Sequence, residues 1–313
     1  MITVSKEVIV DFDITARTAT EAFASKDVVF SPDRIKWLYE RGFSQGTTVI
    51  AAYDDNTKIG QIALIRQTLY LDGRSCRAGQ LIDLWVLKAY RSPQLIRRIY
   101  KEAERLCLAE DIRIVLAMPN ENSKLLNERF FKLKPALLVQ VRAGIGIWGP
   151  LRPSNLQYSG YVSSLTKKAA VELFSCFTTV PTAVGLHWHG ETLFERTNDP
   201  TCGYAAHATK DLLLISTSRK TRGVSFTLLC GFFTRSGAVI TTSCVRELVR
   251  AACRFWKHPI FIYAGLNKDL PALPGVPVSR RLRSPMLVQI RNMGSSGRDV
   301  EFDRFQLIDA DFA

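Results

Sequence analysis

Residues 80–132 read QLIDLWVLKAYRSPQLIRRIYKEAERLCLAEDIRIVLAMPNENSKLLNERFFK, and this stretch decides the fold. Residues 81–87 (LIDLWVL) form a short apolar run of the kind found in buried strands. Ser92 and Pro93 then supply the N-cap and the first position of a helix. Residues 112–118 (IRIVLAM) predict a second strand, which ends in the turn-forming sequence PNENS. The stretch therefore predicts a strand–helix–strand unit with a basic turn, a ready anion site, at the start of the helix.

The predicted helix after Pro93 is amphipathic. Apolar residues recur at helical spacing, and charged residues fill the opposite face. The apolar set is Leu95, Ile96, Ile99, Tyr100, Ala103, Leu106 and Cys107, and the charged set is Arg97, Arg98, Lys101, Glu102, Glu104 and Arg105. We expect the apolar face to pack on the sheet.

The elements around this unit predict two domains, residues 1–150 and 160–313, separated by the sequence GPLRPSNLQYSG. Strands at 47–53 and 58–66 form a hairpin before the central unit, and residues 131–141 are predicted to return as the last strands of the first domain. The second half repeats this order. Its predicted elements are a helix at 164–177, strands at 203–209, 212–217 and 224–233, a helix capped by Thr242 or Ser243 that ends at Trp256, and strands at 259–263 and 286–290.

The central stretch resembles the GNAT N-acetyltransferase superfamily, and more narrowly a bacterial two-domain branch with the pattern V-D-x-x-V-x-P-x-Y-R-G-x-G followed by P-N-E-N-S. The matching residues are Ile82-Asp83, Val86, Tyr90-Arg91 and Pro119 to Ser123. The resemblance implies an α+β fold with two GNAT-like domains in tandem, each a mixed twisted sheet flanked by helices. It also implies an N-acyltransferase that moves an acyl group, in the first instance acetyl, from coenzyme A to an amine of a small molecule.

The resemblance also implies a donor site for acetyl-CoA or another acyl-CoA. In the family, a splayed strand offers main-chain groups to pantetheine, and the next turn and helix N-terminus bind the pyrophosphate. The corresponding residues are Trp85, Val86, Leu87 and Asn122 for the pantetheine arm, and Arg91, Ser92, Gln94, Leu95, Ile96 and Arg97 for the pyrophosphate. Where the family has R-G-x-G, this chain has Arg91-Ser92-Pro93-Gln94, so both glycines are absent and Pro93 removes one amide donor.

Three residues are candidates for the catalytic chemistry. An amine must lose a proton before it attacks a thioester, and Glu121 is the first candidate for that base. Asp83 lies in an apolar strand, where burial raises the pKa of a carboxyl group, and it is a candidate to handle the ammonium group of the acceptor. Both also have structural interpretations, Glu121 as a helix-start residue and Asp83 as an acceptor for local backbone donors. Asn127 falls near a family tyrosine that protonates the leaving thiolate. Since asparagine cannot be that acid, another group or water would serve.

The net charge of +13 suggests an acidic partner or simply a solvated basic surface. A nucleotide-bearing cofactor fits this charge, and Arg97, Arg98 and Lys101 offer a surface for an acidic acyl carrier protein. The basic residues are scattered and are not interleaved with aromatic residues, which argues against nucleic acid. Seven cysteines without a C-x-x-C motif predict reduced thiols, and no signal peptide or apolar run of membrane-spanning length is present. We therefore expect a cytoplasmic protein without an integral membrane segment.

Two alternatives to a coenzyme A-dependent enzyme stay open. One is an acyltransferase that uses an acyl carrier protein or a longer acyl chain, and the other is a non-catalytic binding module on a degenerate GNAT fold. The second half has no basic turn before its helix, so we expect it to hold no cofactor and to form one wall of an acceptor pocket. His187, His189 and Glu191 have a spacing that zinc accepts, but such histidines more often face solvent or line a pocket, and we predict no metal site.

Overall fold

The structure is a computed structural model that describes residues 1–23, 30–43, 45–71, 73–146, 155–178, 184–221, 223–279, 286–294 and 300–310. The strands are β1 Ile2–Lys6, β2 Thr47–Asp54, β3 Thr57–Leu71, β4 Arg74–Val86, β5 Ile114–Ala117, β6 Lys134–Val139, β7 Val141–Ile145, β8 Tyr158–Tyr161, β9 Gly185–Leu186, β10 Tyr204–Ala208, β11 Leu212–Thr221, β12 Val224–Thr234, β13 Ile260–Asn267, β14 Val276–Pro277, β15 Met286–Asn292 and β16 Arg304–Gln306. The α-helices are α1 Phe12–Phe23, α2 Pro32–Glu40, α3 Pro93–Ala109, α4 Glu121–Leu126, α5 Lys167–Ser175, α6 Gly190–Thr197 and α7 Thr242–Trp256. Residues 149–154 of the predicted linker lie outside the described residues.

The chain divides into two compact units. The first unit contains Met1–Leu69, Arg74–Leu137 and Met286–Val300, and the second contains Tyr70–Gly73, Leu138–Pro285 and Glu301–Ala313. This division differs from the predicted domains because Met286–Val300 packs with the first unit although it follows nearly all of the second in sequence.

The first unit is a mixed sheet with helices on it. Its strands lie in the order β1, β2, β3, β4, β5, β15 and β6. The pairs β1–β2, β2–β3 and β5–β15 are antiparallel, whereas β4 and β5 run parallel. A parallel pair needs a crossover connection, and α3 provides it, as the strand–helix–strand pattern predicts.

The core of the first unit forms under α3. The helix buries the apolar face predicted from its spacing, with Ile99, Tyr100 and Ala103 inaccessible to solvent. They pack against sheet residues such as Ile50 and Val115. Since a fully buried Ile or Leu side chain contributes about 1.5–3 kcal/mol, this face holds the helix in place.

The second unit repeats this plan. Strands β8, β10, β11, β12 and β13 are neighbours in that order, with β12 and β13 parallel and α7 as their crossover. Strand β7 lies antiparallel to β13 and carries β14 on its other side. The core residues of α7 include Val245, Leu248 and Ala252, which pack with β11 and β12. Among the described residues, no helix combines the length and the apolar content that a membrane span needs.

Several predicted elements need correction. Residues 131–141 were predicted to return as the last strands of the first domain, and β6 does lie at the end of that sheet, but β15 lies between β6 and β5. The helix α7 takes Thr241 as its N-cap, one residue earlier than predicted, with the Thr241 hydroxyl accepting from the amide of Cys244. The sequence H-x-H has the alternation of a strand, but neither histidine lies in one, because β9 ends at Leu186 and His189 is the N-cap of α6.

Candidate active site

The parallel strands β4 and β5 separate near their carboxyl ends. Their pairing runs from Ala78–Ile114 to Leu81–Ala117, where β5 ends. Strand β4 continues to Val86. Main-chain groups of residues 82–86 that face the β5 side therefore have no partner in β5, and buried main-chain groups in such a position require another hydrogen-bonding partner.

Asp83 marks the point of separation. Its φ of 48° lies in the left-handed region, inside a strand. This conformation costs a residue other than glycine about 1–2 kcal/mol, and it breaks the alternation of side chains as a β-bulge does. Residues 78–82 are all buried, whereas Asp83 and Leu84 are only half-buried, so the change in burial falls where the strand leaves β5. The backbone strain coincides with the open end of β4, as it often does at functional sites.

The Asp83 carboxylate is held by a hydrogen-bond chain from two other elements. The hydroxyl of Tyr39 in α2 donates to Asp83 Oδ2 at 2.7 Å, and Gln61 Nε2 in β3 donates to the Tyr39 hydroxyl at 2.9 Å. Burial raises the pKa of Asp83, while the Tyr39 hydrogen bond and the charge of Arg34 act in the opposite direction. The result is a carboxyl group that binds a proton more readily than an exposed aspartate does.

A buried ion pair lies on the same unit. Lys58 Nζ is 2.8 Å from Glu7 Oε2 and donates to the Thr15 hydroxyl, also at 2.8 Å, and the lysine side chain is almost fully buried. The same ammonium group lies 5.9 Å from the centre of the Trp85 ring. Burial lowers the pKa of Lys58, and Glu7 opposes that shift. Within the described residues, the buried Trp85 Nε1 and Gln61 Oε1 have no hydrogen-bond partner, so this face of β3 and β4 retains unused polar groups.

The start of α3 matches the predicted cap. Ser92 Oγ accepts from the amide of Leu95 at 3.2 Å, and the Ser92 carbonyl accepts from Ile96 at 3.2 Å. Pro93 has no amide hydrogen, so Gln94 carries the one first-turn amide without an acceptor in the described part of the chain. The predicted pyrophosphate turn thus offers fewer amide donors than a glycine-rich turn would.

Arg91 makes contacts that the sequence did not indicate. Its Nε donates to the Val86 carbonyl at 3.0 Å, and its Nη2 donates to the Ala22 carbonyl at 2.7 Å. The amide of Leu87 donates to the Ile59 carbonyl in β3 at 2.8 Å. Because the N–H and C=O of one trans peptide point in opposite directions, the Val86 carbonyl points away from β3, toward the side that β5 has left. The Arg91 side chain is therefore hydrogen-bonded to a main-chain carbonyl, that of Val86, in the segment predicted to meet pantetheine.

The remaining predicted donor and base residues are exposed. Arg97 lies on the outer face of α3 with its guanidinium 5.8 Å from the Phe130 ring. Glu121 and Asn122 lie in the first turn of α4, which Asn120 caps by accepting from the amide of Ser123 at 2.9 Å. No hydrogen bond or ion pair within the described residues joins Glu121 or Asn122 to Asp83, so the candidate base and the candidate for the acceptor's ammonium group are not linked directly.

Asn127 lies in a buried polar network. The Tyr100 hydroxyl donates to Asn127 Oδ1 at 2.5 Å, and Asn127 Nδ2 donates to Gln289 Oε1 in β15 at 3.0 Å. Gln289 Nε2 in turn donates to Glu128 Oε1 at 3.0 Å. Burial raises the pKa of Tyr100 above its ordinary value, which makes its hydroxyl a poorer acid. Asn127 thus ties α3 to β15 from a segment, Asn127–Phe131, that is wound as a π-helix.

Sequence reasoning missed several of these residues. Gln61, Lys58 and Glu7 carry no motif, and they reach their partners across 22 to 51 residues of chain. A polar residue in an otherwise apolar strand, such as Gln61 in IGQIALI, was the one local signal of a buried polar contact. The described residues contain no group of three or more His, Cys, Asp or Glu side chains arranged to hold a metal ion.

No protein-family model and no curated protein matches this sequence. Solved structures do match. A conserved protein from Enterococcus faecalis described as a probable N-acyltransferase superposes with a TM-score of 0.63 at 12% identity, over 93% of this chain and 73% of that one. A GCN5-related N-acetyltransferase from Anabaena variabilis gives 0.63 at 12% identity over 94% and 73%.

A third similar structure is the N-myristoyltransferase of Saccharomyces cerevisiae with bound myristoyl-CoA, with a TM-score of 0.59 at 12% identity over 98% of this chain and 83% of that one. Identities this low establish the fold and nothing finer. The superposition over more than nine-tenths of this chain confirms the fold predicted from the sequence. This chain has the α+β fold of the GCN5-related N-acetyltransferase superfamily, with that plan present in both of its units.

Proposed function

We propose that this protein is an acyltransferase that moves an acyl group, acetyl in the first instance, from coenzyme A to an amine of a small molecule. The observation that carries the proposal is the strained Asp83 at the point where β4 leaves β5. A carboxyl group with a raised pKa then lies beside an open strand end that can receive a thioester. The fold shared with acyltransferases supports the choice of reaction.

The donor would lie along the open side of β4, with Trp85, Val86 and Leu87 beside the pantetheine arm. Ser92 to Arg97 at the start of α3 would face the pyrophosphate, where the helix dipole and the Gln94 amide favour an anion. Arg91 would contribute its positive charge there while its Nε and Nη2 hold main-chain carbonyls. Asn122 would lie near the arm from the side of α4. With two glycines absent, cationic side chains rather than amides would supply most of the attraction.

On the acceptor side, we assign the role of the base that removes a proton from the ammonium group to Asp83 rather than to Glu121. The Asp83 carboxylate pairs with the ammonium group of the acceptor and removes one proton, and the free amine attacks the thioester carbonyl. The new C–N bond forms, the C–S bond breaks, and the nitrogen passes its second proton through water to the departing thiolate of coenzyme A, while Asp83 later returns its proton to solvent. No covalent enzyme intermediate is needed, and Asn127 takes no part because its amide groups are engaged by Tyr100 and Gln289.

The test measures thiol release from acetyl-, octanoyl- and myristoyl-CoA with a panel of small amines, alongside calorimetric titration with acetyl-CoA. Asp83→Asn should lose at least 100-fold in turnover, with acetyl-CoA affinity within threefold of the original, since a general base contributes about 100- to 10,000-fold. Asp111→Asn is the matched control, because Asp111 also has a left-handed φ of 51° but lies in an exposed turn.

Each other outcome has a defined meaning. Turnover with octanoyl- or myristoyl-CoA alone would replace acetyl by a longer chain. Turnover with an acylated carrier protein, together with no turnover of any coenzyme A thioester, would mean that the carrier protein is the acyl donor. Binding without turnover of any thioester would identify a binding module and reject the enzyme.

A further inference from the structure

The second unit contains a cavity that the proposed function does not use. It has a volume of about 400 Å³ and lies between α7 and the segment that follows β13. Its lining is about equally polar and apolar, and Val245, Val249, Phe261 and Leu273 belong to the apolar part. This volume falls within the range of about 300–1,000 Å³ that small-molecule sites occupy.

Two arginines on α7 give the cavity its charge. Arg246 and Arg250 both line it, and residues four apart lie on the same face of a helix. Within the described residues, neither guanidinium has a hydrogen-bond or ion-pair partner. Other arginines of this unit behave differently, since Arg142 and Arg196 are bonded to main-chain carbonyls. In the described part of the chain, no aspartate or glutamate lines the cavity, so these residues supply no counter-ion for its positive charge.

One wall of the cavity, residues 272–275, is held in position by hydrogen bonds and by close packing against β7. Arg142 on β7 donates to the carbonyls of Pro274 and Gly275, and its Nη2 lies 2.6 Å from the Gly275 oxygen. Gly275 has a φ of 78°, and a β-carbon there would lie 2.6 Å from the Ala143 carbonyl oxygen. Only glycine permits that approach, so the 272–275 wall is fixed against β7. A preformed wall lowers the entropy cost of binding a ligand.

We propose that this cavity binds a small amphiphilic anion, an apolar body that carries one carboxylate or phosphate group. The guanidinium pair suits such a head group because planar N–H forks bind carboxylate and phosphate oxygens in pairs. The apolar part of the lining, which includes Val249 and Leu273, covers the body of the ligand. The sequence predicts no cofactor in this half because no basic turn precedes α7, but the two arginines lie farther along the helix. The site is separate from the first unit, and its test does not depend on the acyltransferase proposal.

The experiment titrates the full chain with decanoate, decyl phosphate, decanol and inorganic phosphate, each below its micellar concentration, by calorimetry. We expect decanoate or decyl phosphate to bind at least tenfold more tightly than decanol or inorganic phosphate, and the better of the two identifies the head group. The double variant Arg246→Gln/Arg250→Gln should lose at least tenfold in that affinity. Lys220→Gln, which removes one exposed charge on β11 of the same unit, should change it less than twofold.

A second variant tests whether the ligand binds in the cavity itself rather than responding to the net charge of the protein. Ala272→Phe adds bulk at an exposed position of the cavity wall, so it should lower affinity without changing net charge or the melting temperature by more than a few degrees. The proposal is overturned if neither amphiphile binds, if decanol binds as well as both, or if the arginine and Ala272 variants bind like the original protein.

Discussion

The guanidinium of Arg91 donates a hydrogen bond to the Val86 carbonyl, with Nε and the carbonyl oxygen 3.0 Å apart. This carbonyl faces the side of β4 that β5 leaves open. The side chain expected to attract a pyrophosphate therefore also fixes the main chain beside the place proposed for pantetheine. Its second bond, to the Ala22 carbonyl, holds the end of α1 to the same turn.

Arg91 variants separate charge from positioning. Arg91→Lys keeps the charge but lacks the planar fork, so it should lose about 1–3 kcal/mol of stability and less than threefold in acetyl-CoA affinity. Arg91→Gln should lose similar stability and about tenfold or more in affinity. Urea unfolding and calorimetric titration measure the two quantities. If both variants bind acetyl-CoA equally well, the charge of Arg91 has no part in donor binding.

Asp83→Asn is expected to change the pH dependence of stability. The folded state raises the pKa of Asp83 above the ordinary 3.8, so the folded protein binds this proton more tightly than the unfolded chain does. Stability from this group is present below the ordinary pKa and is lost as the pH rises through the folded pKa. Asparagine does not titrate and tolerates a left-handed φ.

As the pH rises from 4 to 8, the original protein should lose the stability that this proton provides, whereas the variant should not. The free energy of unfolding of the variant minus that of the original protein should therefore be more positive at pH 8 than at pH 4. Urea unfolding at the two pH values measures that difference, and Asp111→Asn again serves as the control. A difference that stays constant with pH would show that burial does not perturb this carboxyl group.

Asn127 is expected to act in stability rather than in chemistry. Asn127→Ala leaves the Tyr100 hydroxyl and Gln289 Oε1 without their partner, and a buried unsatisfied group costs about 1–3 kcal/mol. Turnover well below the melting temperature should stay within threefold. A double-mutant cycle with Tyr100→Phe should show a coupling of about 0.5–3 kcal/mol, since the two residues share a hydrogen bond. A tenfold fall in turnover with unchanged stability would restore the catalytic assignment.

His207 should make the second unit sensitive to acid. Its Nδ1 lies 2.8 Å from Ser159 Oγ and its Nε2 lies 2.9 Å from Ser216 Oγ, and burial lowers its pKa from 6.5 to about 3. The unfolded chain therefore binds a proton that the folded protein excludes. Stability is full above pH 6.5 and falls as the pH drops, by at most about 1.4 kcal/mol per pH unit for this group.

The measurement is urea unfolding between pH 7 and pH 5. His207→Gln should flatten the fall in free energy of unfolding even if it lowers stability at pH 7. His258→Gln is the matched control, because it also removes an imidazole that is hydrogen-bonded to a serine hydroxyl, that of Ser218. An unchanged slope in His207→Gln would mean that the ring is protonated in the folded state.

Local signals in the sequence predicted the elements around α3 well. Ser92 and Pro93 mark its start, and apolar spacing identifies its buried face, because caps and helix periodicity depend on neighbouring residues. The length of β4 was underestimated, since its first half, RSCRAGQ, lacks an apolar run. The separation of β4 from β5 followed only from the family resemblance and not from any residue pattern.

The polar contacts of the site were not predictable from the chain. Asp83 meets Tyr39 across 44 residues, and Asn127 meets Gln289 across 162. No periodicity or motif encodes which distant side chains will share a buried hydrogen bond. The strained φ of Asp83 was hidden for a related reason, because its cause is the path of the strand through the unit rather than the identity of its neighbours.

The placement of β15 has a consequence for the order of folding during synthesis. Residues 286–292 supply the strand beside β5 and the glutamine that accepts from Asn127. A ribosome-bound chain that stops before residue 286 therefore has β1 to β5 and α3 but an unpaired edge on β5. Exposed strand edges favour aggregation, and domains generally fold as their sequence emerges. The first unit therefore begins to emerge first but stays incomplete until residues 286–300 have followed, so its partly built sheet must persist while residues 138–285 of the second unit are synthesised.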